Sequence, residues 1–345
     1  MGKTWTHEPA LISATEASPP ALDRDDIDRA AGQLRNRIWR TPVIRSDRLD
    51  ELAGARLWLK AENLQRGGSF KIRGALLAVA ELAAAGSRGI VAQSTGNHAI
   101  AVSLAAAAHR LPATLVLPAN AVPSKVQRIR ESDAEVLLVG STLADRLAAV
   151  ARLRELHGYD VLDPYENPHV VVGQGTATSE LLDQVAEAGG RLDTVVVPIG
   201  GGSAIAGACL AAAGRDVAVI GAEPQNVPAF TAALCERQPV TVVPQHTIAD
   251  GLRPERIGDL PFELAHRSVA GVVTVPETAI AEALCAAVLR ARLVIEPAAA
   301  TALAAALSHA TGSSTDIGVL LTGGNVEPGL VASLLTDRPD EAPLH

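Results

Sequence analysis

The sequence predicts an α/β fold with mostly parallel sheets flanked by helices. Short β-branched runs alternate with Ala- and Leu-rich segments of helical spacing, the pattern of strands covered on both faces. Glycine- and hydroxyl-rich motifs fall where a strand-like run ends and a helical one begins, which is where open α/β sheets bind ligands. The 345 residues, 48% hydrophobic and 20% charged, are enough for two domains or one large one.

Residues 1–20 are polar, contain prolines and lack any period, and read as a disordered tail. From Asp25 the alternation begins. Residues 57–60 (Leu-Trp-Leu-Lys) form the first strand candidate, and 75–85 carry helical spacing. Residues 89–93 (Gly-Ile-Val-Ala-Gln) read as a strand and 99–108 as the helix after it. Strand candidates follow at 113–117, 135–139, 194–198, 217–222 and 271–275, each short and rich in Val, Ile, Leu or Thr. Residues 279–292 read as a helix, and 317–321 as the last strand.

Composition excludes several classes. The formal net charge of -8, with no Lys/Arg cluster to offset it, repels nucleic acid. Cys209, Cys235 and Cys285 lie too far apart for a CxxC metal spacing or a disulfide framework, and each reads as a small buried side chain. The first 25 residues lack an apolar signal core, and no apolar run is long enough to span a bilayer. A cytoplasmic protein with no membrane partner is the expectation.

Four motifs carry the chemistry. Lys71 follows Gly67-Gly68-Ser69-Phe70 at the expected mouth of a helix. An amine enclosed there loses its proton, because desolvation disfavours the ammonium form, and then attacks a carbonyl. Gly200, Gly201 and Gly202 lack a Cβ, so their N–H groups can turn together toward an anion at the start of the helix opened by Ser203. Neither the dinucleotide fingerprint, which would need glycine where Ile205 stands, nor the P-loop fits, so a single phosphate on a small cofactor is the better ligand. Ser94-Thr95-Gly96-Asn97-His98 offers N–H groups and hydroxyls at another helix start, which suits a carboxylate or a plain N-cap. Thr322, in Thr322-Gly323-Gly324-Asn325, ends a strand with a hydroxyl able to face a neutral heterocyclic nitrogen. A reactive lysine, a phosphate cradle and a carboxylate loop together point to pyridoxal 5'-phosphate (PLP).

The set Lys60-Ala61-Glu62-Asn63-Leu64-Gln65, Gly68 to Gly74, Ser94 to His98, Gly173-Gln174-Gly175-Thr176, Gly200 to Ser203 and Thr322 to Asn325 resembles the threonine/serine dehydratase group of fold type II PLP enzymes, which includes serine racemase. The resemblance runs from about Asp25 to Leu335. It implies two open, mostly parallel sheets and a cofactor held between a large domain (21–85 and 167–335) and a small mobile domain (86–166), with a tail at 336–345. It also implies a homodimer. Lys71 would carry the cofactor and act as the base at Cα. Phe70 would pack near the cofactor ring, and Asn97 would hydrogen-bond its 3-oxygen. Ser94, Thr95, Asn97 and His98 would hold the substrate carboxylate. Gly200, Gly201, Gly202 and Ser203 would bind the phosphate, and Thr322 would meet the pyridine nitrogen. The implied reaction is β-elimination from a β-hydroxy amino acid, most simply L-threonine or L-serine, to a 2-oxo acid and ammonia.

The sequence also departs from the group. Ser203 stands where a fourth glycine is common. Racemases of the group carry a serine where Thr95 stands, a bulkier residue and stiffer at χ1. Cation-binding members use a Glu and, six residues on, an Asp; Glu223 matches the first, but Ala229 takes the second place, which weakens a divalent-cation site. Other readings are a racemase, a lyase for an unusual substrate such as 3-hydroxyaspartate or a hydroxyectoine-breakdown intermediate, and a catalytically silent PLP-binding protein. Tyr165, Glu166, Asn167 and the stretch 253–257, including Arg253, are candidates for the side-chain pocket.

Overall fold

The computed structural model describes residues 22–336 apart from 95, 122, 133, 141 and 309, and omits the side chains of 123–125 and 143. The expected tails, 1–20 and all but the first residue of 336–345, lie outside the described residues. Among the described residues, ten strands form two sheets. The larger contains β1 (Val43–Ile44), β2 (Arg56–Ala61), β7 (Thr194–Pro198), β8 (Ala218–Pro224), β9 (Gly271–Val275) and β10 (Asp316–Leu321), in the order β1-β2-β10-β7-β8-β9. The smaller contains β3 (Ile90–Gln93), β4 (Ala113–Leu117), β5 (Glu135–Leu138) and β6 (Asp160–Val161), in the order β5-β4-β3-β6. The β1–β2 pair is antiparallel, and the other described pairs are parallel.

Burial explains why the strands read as continuous apolar runs. Along β7, Val195 and Val197 join one apolar cluster while Val196, between them, joins another. In β10, Leu320 belongs to the first cluster, and Ile317, Val319 and Leu321 to the second. Successive side chains point to opposite faces, so both faces of this sheet are covered. The strand order then sets the site. β2, β10 and β7 are parallel neighbours, so the segments after Ala61, Leu321 and Pro198 leave from the same edge.

All eight strand candidates are present with ends within two residues of those expected. The two-residue strands β1 and β6 are too short to leave a pattern. The helix expected at 75–85 is Lys71–Ala84, so Lys71 is its first residue. Gly173-Gln174-Gly175-Thr176 lies inside a 20-residue helix, Pro168–Glu187. Its glycines let three helices cross closely: a Cβ on Gly173 would lie 2.5 Å from Gly74 Cα, and one on Gly175 would lie 2.6 Å from Gly207 O. Cys209 and Cys285 are buried as expected. Cys235, at the end of the helix Ala229–Glu236, is exposed instead, because that helix turns its last residues to solvent.

Candidate active site

Lys71 is placed by a strap that returns from β2. Two short 3₁₀ turns, Glu62–Leu64 and Arg66–Gly68, lead from the strand to the helix. Gly67 and Gly68 adopt φ of 70° and 74°, left-handed values that glycine takes without steric cost. The strap then pairs with the loop after β10: Gly324 N–H donates to Gly68 O, and Phe70 N–H to Thr322 O at 3.0 Å. Lys71 and buried Thr322 are thereby brought together.

The Lys71 side chain opens partly onto the cleft, but its amine is enclosed by protein. Nζ donates to Pro164 O and to Ser203 Oγ, each at 3.2 Å, and lies 5.3 Å from the Phe70 ring centre. Burial lowers its pKa to about 8, against the opposing pull of Asp163 and Glu296. Burial thus favours the neutral amine far more than water would.

Gly200, Gly201 and Gly202 join β7 to the helix Ser203–Ala212, with Gly202 as its N-cap at φ 102°. Packing also demands these glycines. A Cβ on Gly201 would lie 2.1 Å from the Tyr165 ring, and one on Gly202 2.6 Å from Pro261. Tyr165 thus lies over the glycine loop, and burial pushes its phenol up to about 12. Glu166, beside it, accepts N–H bonds from Asp259 and Leu260 at 2.7 and 3.1 Å. Arg253 is exposed at the end of the turn Asp250–Leu252, and Arg256 pairs with Asp259.

The third loop comes from the smaller sheet. Ser94 Oγ accepts from Gly96 N–H, and Asn97 opens the helix Asn97–His109. Thr95 lies outside the described residues. Asn97 Nδ2 donates to Glu296, and Asn97 Oδ1 accepts from Asn325 Nδ2. His98 is buried, and burial together with the Lys71 charge pushes its pKa down to about 3, so the ring is neutral. Its Nε2 lies 3.1 Å from Leu162 O, a partner that only an N–H can satisfy. Nδ1 is then an acceptor, so this ring cannot donate to a carboxylate; His98 has only its first-turn backbone N–H to offer one.

Glu223 is committed elsewhere. Its two oxygens accept the N–H groups of Phe230 and Thr231, each at 2.9 Å, and so cap the first turn of the helix Ala229–Glu236. Among the described residues no group of three His, Cys, Asp or Glu is gathered to hold a metal ion. No helix among them is long and apolar enough to cross a membrane.

Sequence reasoning missed two features. The motif residues Lys60, Glu62 and Arg73 had no role assigned, yet all three are fully buried, with Arg73 ion-paired to Glu62 and to Glu180, and Lys60 to Glu180. Glu296, just before the Pro-initiated helix Pro297–Leu307, was not among the candidates, yet it faces Asn97. No local pattern in the sequence marks this contact, which spans 199 residues.

The arrangement fits an aldehyde that also carries a phosphate. An amine of lowered pKa donates to the Ser203 hydroxyl on the first residue of the helix that follows Gly200 to Gly202, so the amine and the glycine loop share one space able to take an aldehyde and an anion. Comparison with known proteins agrees. Residues 34–323 match the family described as pyridoxal-phosphate dependent enzyme. An L-threonine ammonia-lyase from Thermotoga maritima is 36% identical over 314 residues, 90% of this chain and 77% of that protein. An L-threo-3-hydroxyaspartate ammonia-lyase from Pseudomonas sp is 36% identical over 314 residues, 90% of this chain and 97% of that protein. The structure of maize serine racemase superposes with a TM-score of 0.86 at 34% identity, covering 92% of this chain and 97% of its own. The chain belongs to the pyridoxal-phosphate dependent enzymes, of the fold type II group that holds these ammonia-lyases and racemases, and its cofactor is pyridoxal 5'-phosphate.

Proposed function

We propose that the protein is an ammonia-lyase that eliminates the β-hydroxyl of a small amino acid, most simply L-threonine or L-serine. The observation that carries this reading is the Lys71 amine, its pKa lowered to about 8, held against Ser203 at the mouth of the glycine loop. When bound, PLP supplies the electron sink that acidifies the substrate's Cα–H. The residues supply the rest. Lys71 would hold the cofactor, and its amine, when free and neutral, would take the substrate's Cα proton. The N–H groups of Gly200, Gly201, Gly202 and Ser203 hold the phosphate, with the helix start adding its positive end. Ser94, Thr95, Asn97 and His98 hold the substrate carboxylate, His98 through its backbone N–H. Asn97 presents an N–H to the cofactor's 3-oxygen, and Phe70 packs near the ring. Thr322 would meet the ring nitrogen with a neutral hydroxyl rather than a carboxylate.

Relatives named for serine racemisation and for 3-hydroxyaspartate define the competing readings. The test is ammonia release by PLP-loaded protein from L-threonine, L-serine, their D-forms and 3-hydroxyaspartate, with Lys71→Ala as control. Release from one or two of them, lost in the control, is the expected result. Inversion at Cα without ammonia, read by chiral separation of the amino acid, would make it a racemase instead.

A further inference from the structure

The amide of Asn97 is held at both ends by groups whose hydrogen-bonding sense is fixed. On one side stands the buried Glu296 carboxylate, which only accepts: Asn97 Nδ2 lies 2.7 Å from Oε1 and 3.0 Å from Oε2. On the other, Asn325 Nδ2 donates to Asn97 Oδ1 at 2.7 Å and to Gly67 O at 2.8 Å. The Asn325 orientation is fixed in turn. Its Oδ1 receives a hydrogen bond from Arg128 Nη1, and reversing the amide would set oxygen against Gly67 O and donor against Arg128. Two glycines leave room for the chain of amides. A Cβ on Gly323 would lie 2.4 Å from Glu296 Oε1, and one on Gly68 would lie 2.3 Å from Asn325 Oδ1.

The two hydrogens of an amide diverge, whereas the two oxygens of one carboxylate lie close together. A single Asn97 hydrogen is therefore shared between them, and the second is directed away from Glu296. We propose that Glu296 is a positioning residue that fixes the Asn97 amide so that an N–H, and never the carbonyl, faces the ring oxygen of the cofactor. A reversed amide would set a carbonyl dipole against an oxygen that carries negative charge in the bound cofactor. This rests on the reading that Asn97 touches that oxygen, and the variants are chosen to separate the two claims.

The experiment titrates the purified apoproteins with pyridoxal 5'-phosphate and records the visible absorbance band, which responds to the protonation of the ring oxygen. Asn97→Ala and Glu296→Ala are each expected to weaken binding at least about tenfold, the weight of one hydrogen bond to a charged group, and to move the band in the same direction. Glu296→Gln retains an acceptor and is expected to stay within a fewfold of the parent, with the parent's band. A Glu296→Ala protein that keeps the parent's affinity and band, where Asn97→Ala loses them, overturns the role of Glu296. An Asn97→Ala protein that changes neither overturns the contact to the cofactor, and the inference with it. Should Glu296→Ala not fold, Asn97→Asp reads the same contact. It places two carboxylates together, so it is expected to bind more weakly than Asn97→Ala and to recover to that level when Glu296→Gln is added. No recovery in the double variant overturns the proposal.

Discussion

Arg73 and Glu62 form a fork-to-fork ion pair sealed from solvent: Nε and Nη2 donate to the two carboxylate oxygens at 2.8 and 2.7 Å, and neither residue has any exposed surface. Glu180, from the helix Pro168–Glu187, accepts from the same guanidinium at 3.0 and 2.8 Å and from Lys60 Nζ at 2.8 Å. Two positive and two negative groups thus balance two residues behind Lys71. Burial alone would raise the Glu62 carboxyl, but Arg73 and Lys60 override it and hold it below the usual carboxylate range. Its contribution to stability is therefore present above the normal carboxyl titration and is lost as acid protonates it. Arg73→Met leaves this carboxylate buried with its main partner gone and is expected to cost about 3–5 kcal/mol of stability. Arg73→Lys keeps the charge but loses the fork, and should fall between the two. Denaturant unfolding of the apoproteins checks both, and a parent-like midpoint for Arg73→Met would remove the cluster from the account of how Lys71 is held.

The lowered pKa of Lys71 makes a prediction for cofactor loading. Only the neutral amine attacks an aldehyde, and burial shifts the deprotonation of the apoprotein amine from 10.5 to about 8. The rate at which apoprotein takes up pyridoxal 5'-phosphate should therefore climb with pH and flatten above about 8. A lysine left in water would carry that rise up to its ordinary value near 10.5. Stopped-flow absorbance over a pH series locates the inflection, with Lys71→Ala giving the background.

What was legible in the sequence was what repeats or what is chemically unusual. The Val-rich run of β7 is buried on both faces, so its pattern announced a parallel strand. Gly200 to Gly202 stood out because three glycines in a row are seldom needed for a turn, but the sequence could not show that Tyr165 and Pro261 also leave no room for a Cβ there. The two-residue strands β1 and β6 carry no period, and their pairing depends on partners distant in the chain. Glu296 was illegible for a different reason. It meets Asn97 across 199 residues, and only the fold puts a carboxylate there. His98 illustrates a third limit: the resemblance placed it at the substrate carboxylate, but only the fold shows that the Leu162 carbonyl fixes the ring as an acceptor on its other side. The Cys235 reading failed because an apolar neighbourhood in sequence does not say which way a helix end faces.

Tyr165 and Gly201 are matched in shape, and the match predicts a suppressor. Gly201→Ala sets a methyl 2.1 Å from the Tyr165 ring, so either the ring or the loop must move. A displaced loop loses the common aim of its N–H groups, and overpacking of this kind costs about 1–3 kcal/mol. Gly201→Ala is expected to weaken pyridoxal 5'-phosphate binding by about tenfold or more at that cost. Tyr165→Ala in the same chain removes the obstacle and should return much of the affinity. Cofactor titration of the two single variants and the double variant measures the coupling; losses that simply add would show that Tyr165 is not what the methyl meets.

Glu223 separates a capping role from a metal-binding one. Its two oxygens take the N–H groups of Phe230 and Thr231, which the helix Ala229–Glu236 leaves without an internal partner. Burial pushes its carboxyl up, so the charge itself is held at a cost that the two N–H bonds offset. Glu223→Ala is expected to lower stability by about 1 kcal/mol, within the 0.5–2 kcal/mol range of lost caps. Glu223→Gln keeps one acceptor, removes the buried charge and should lose less. A metal ligand would behave otherwise: parent enzyme would gain stability on addition of Mg²⁺, by mass action on the folded state, and both variants would lose that gain. Unfolding midpoints of the three proteins, with and without Mg²⁺, tell the two apart. The capping geometry predicts the same order of stability in both conditions.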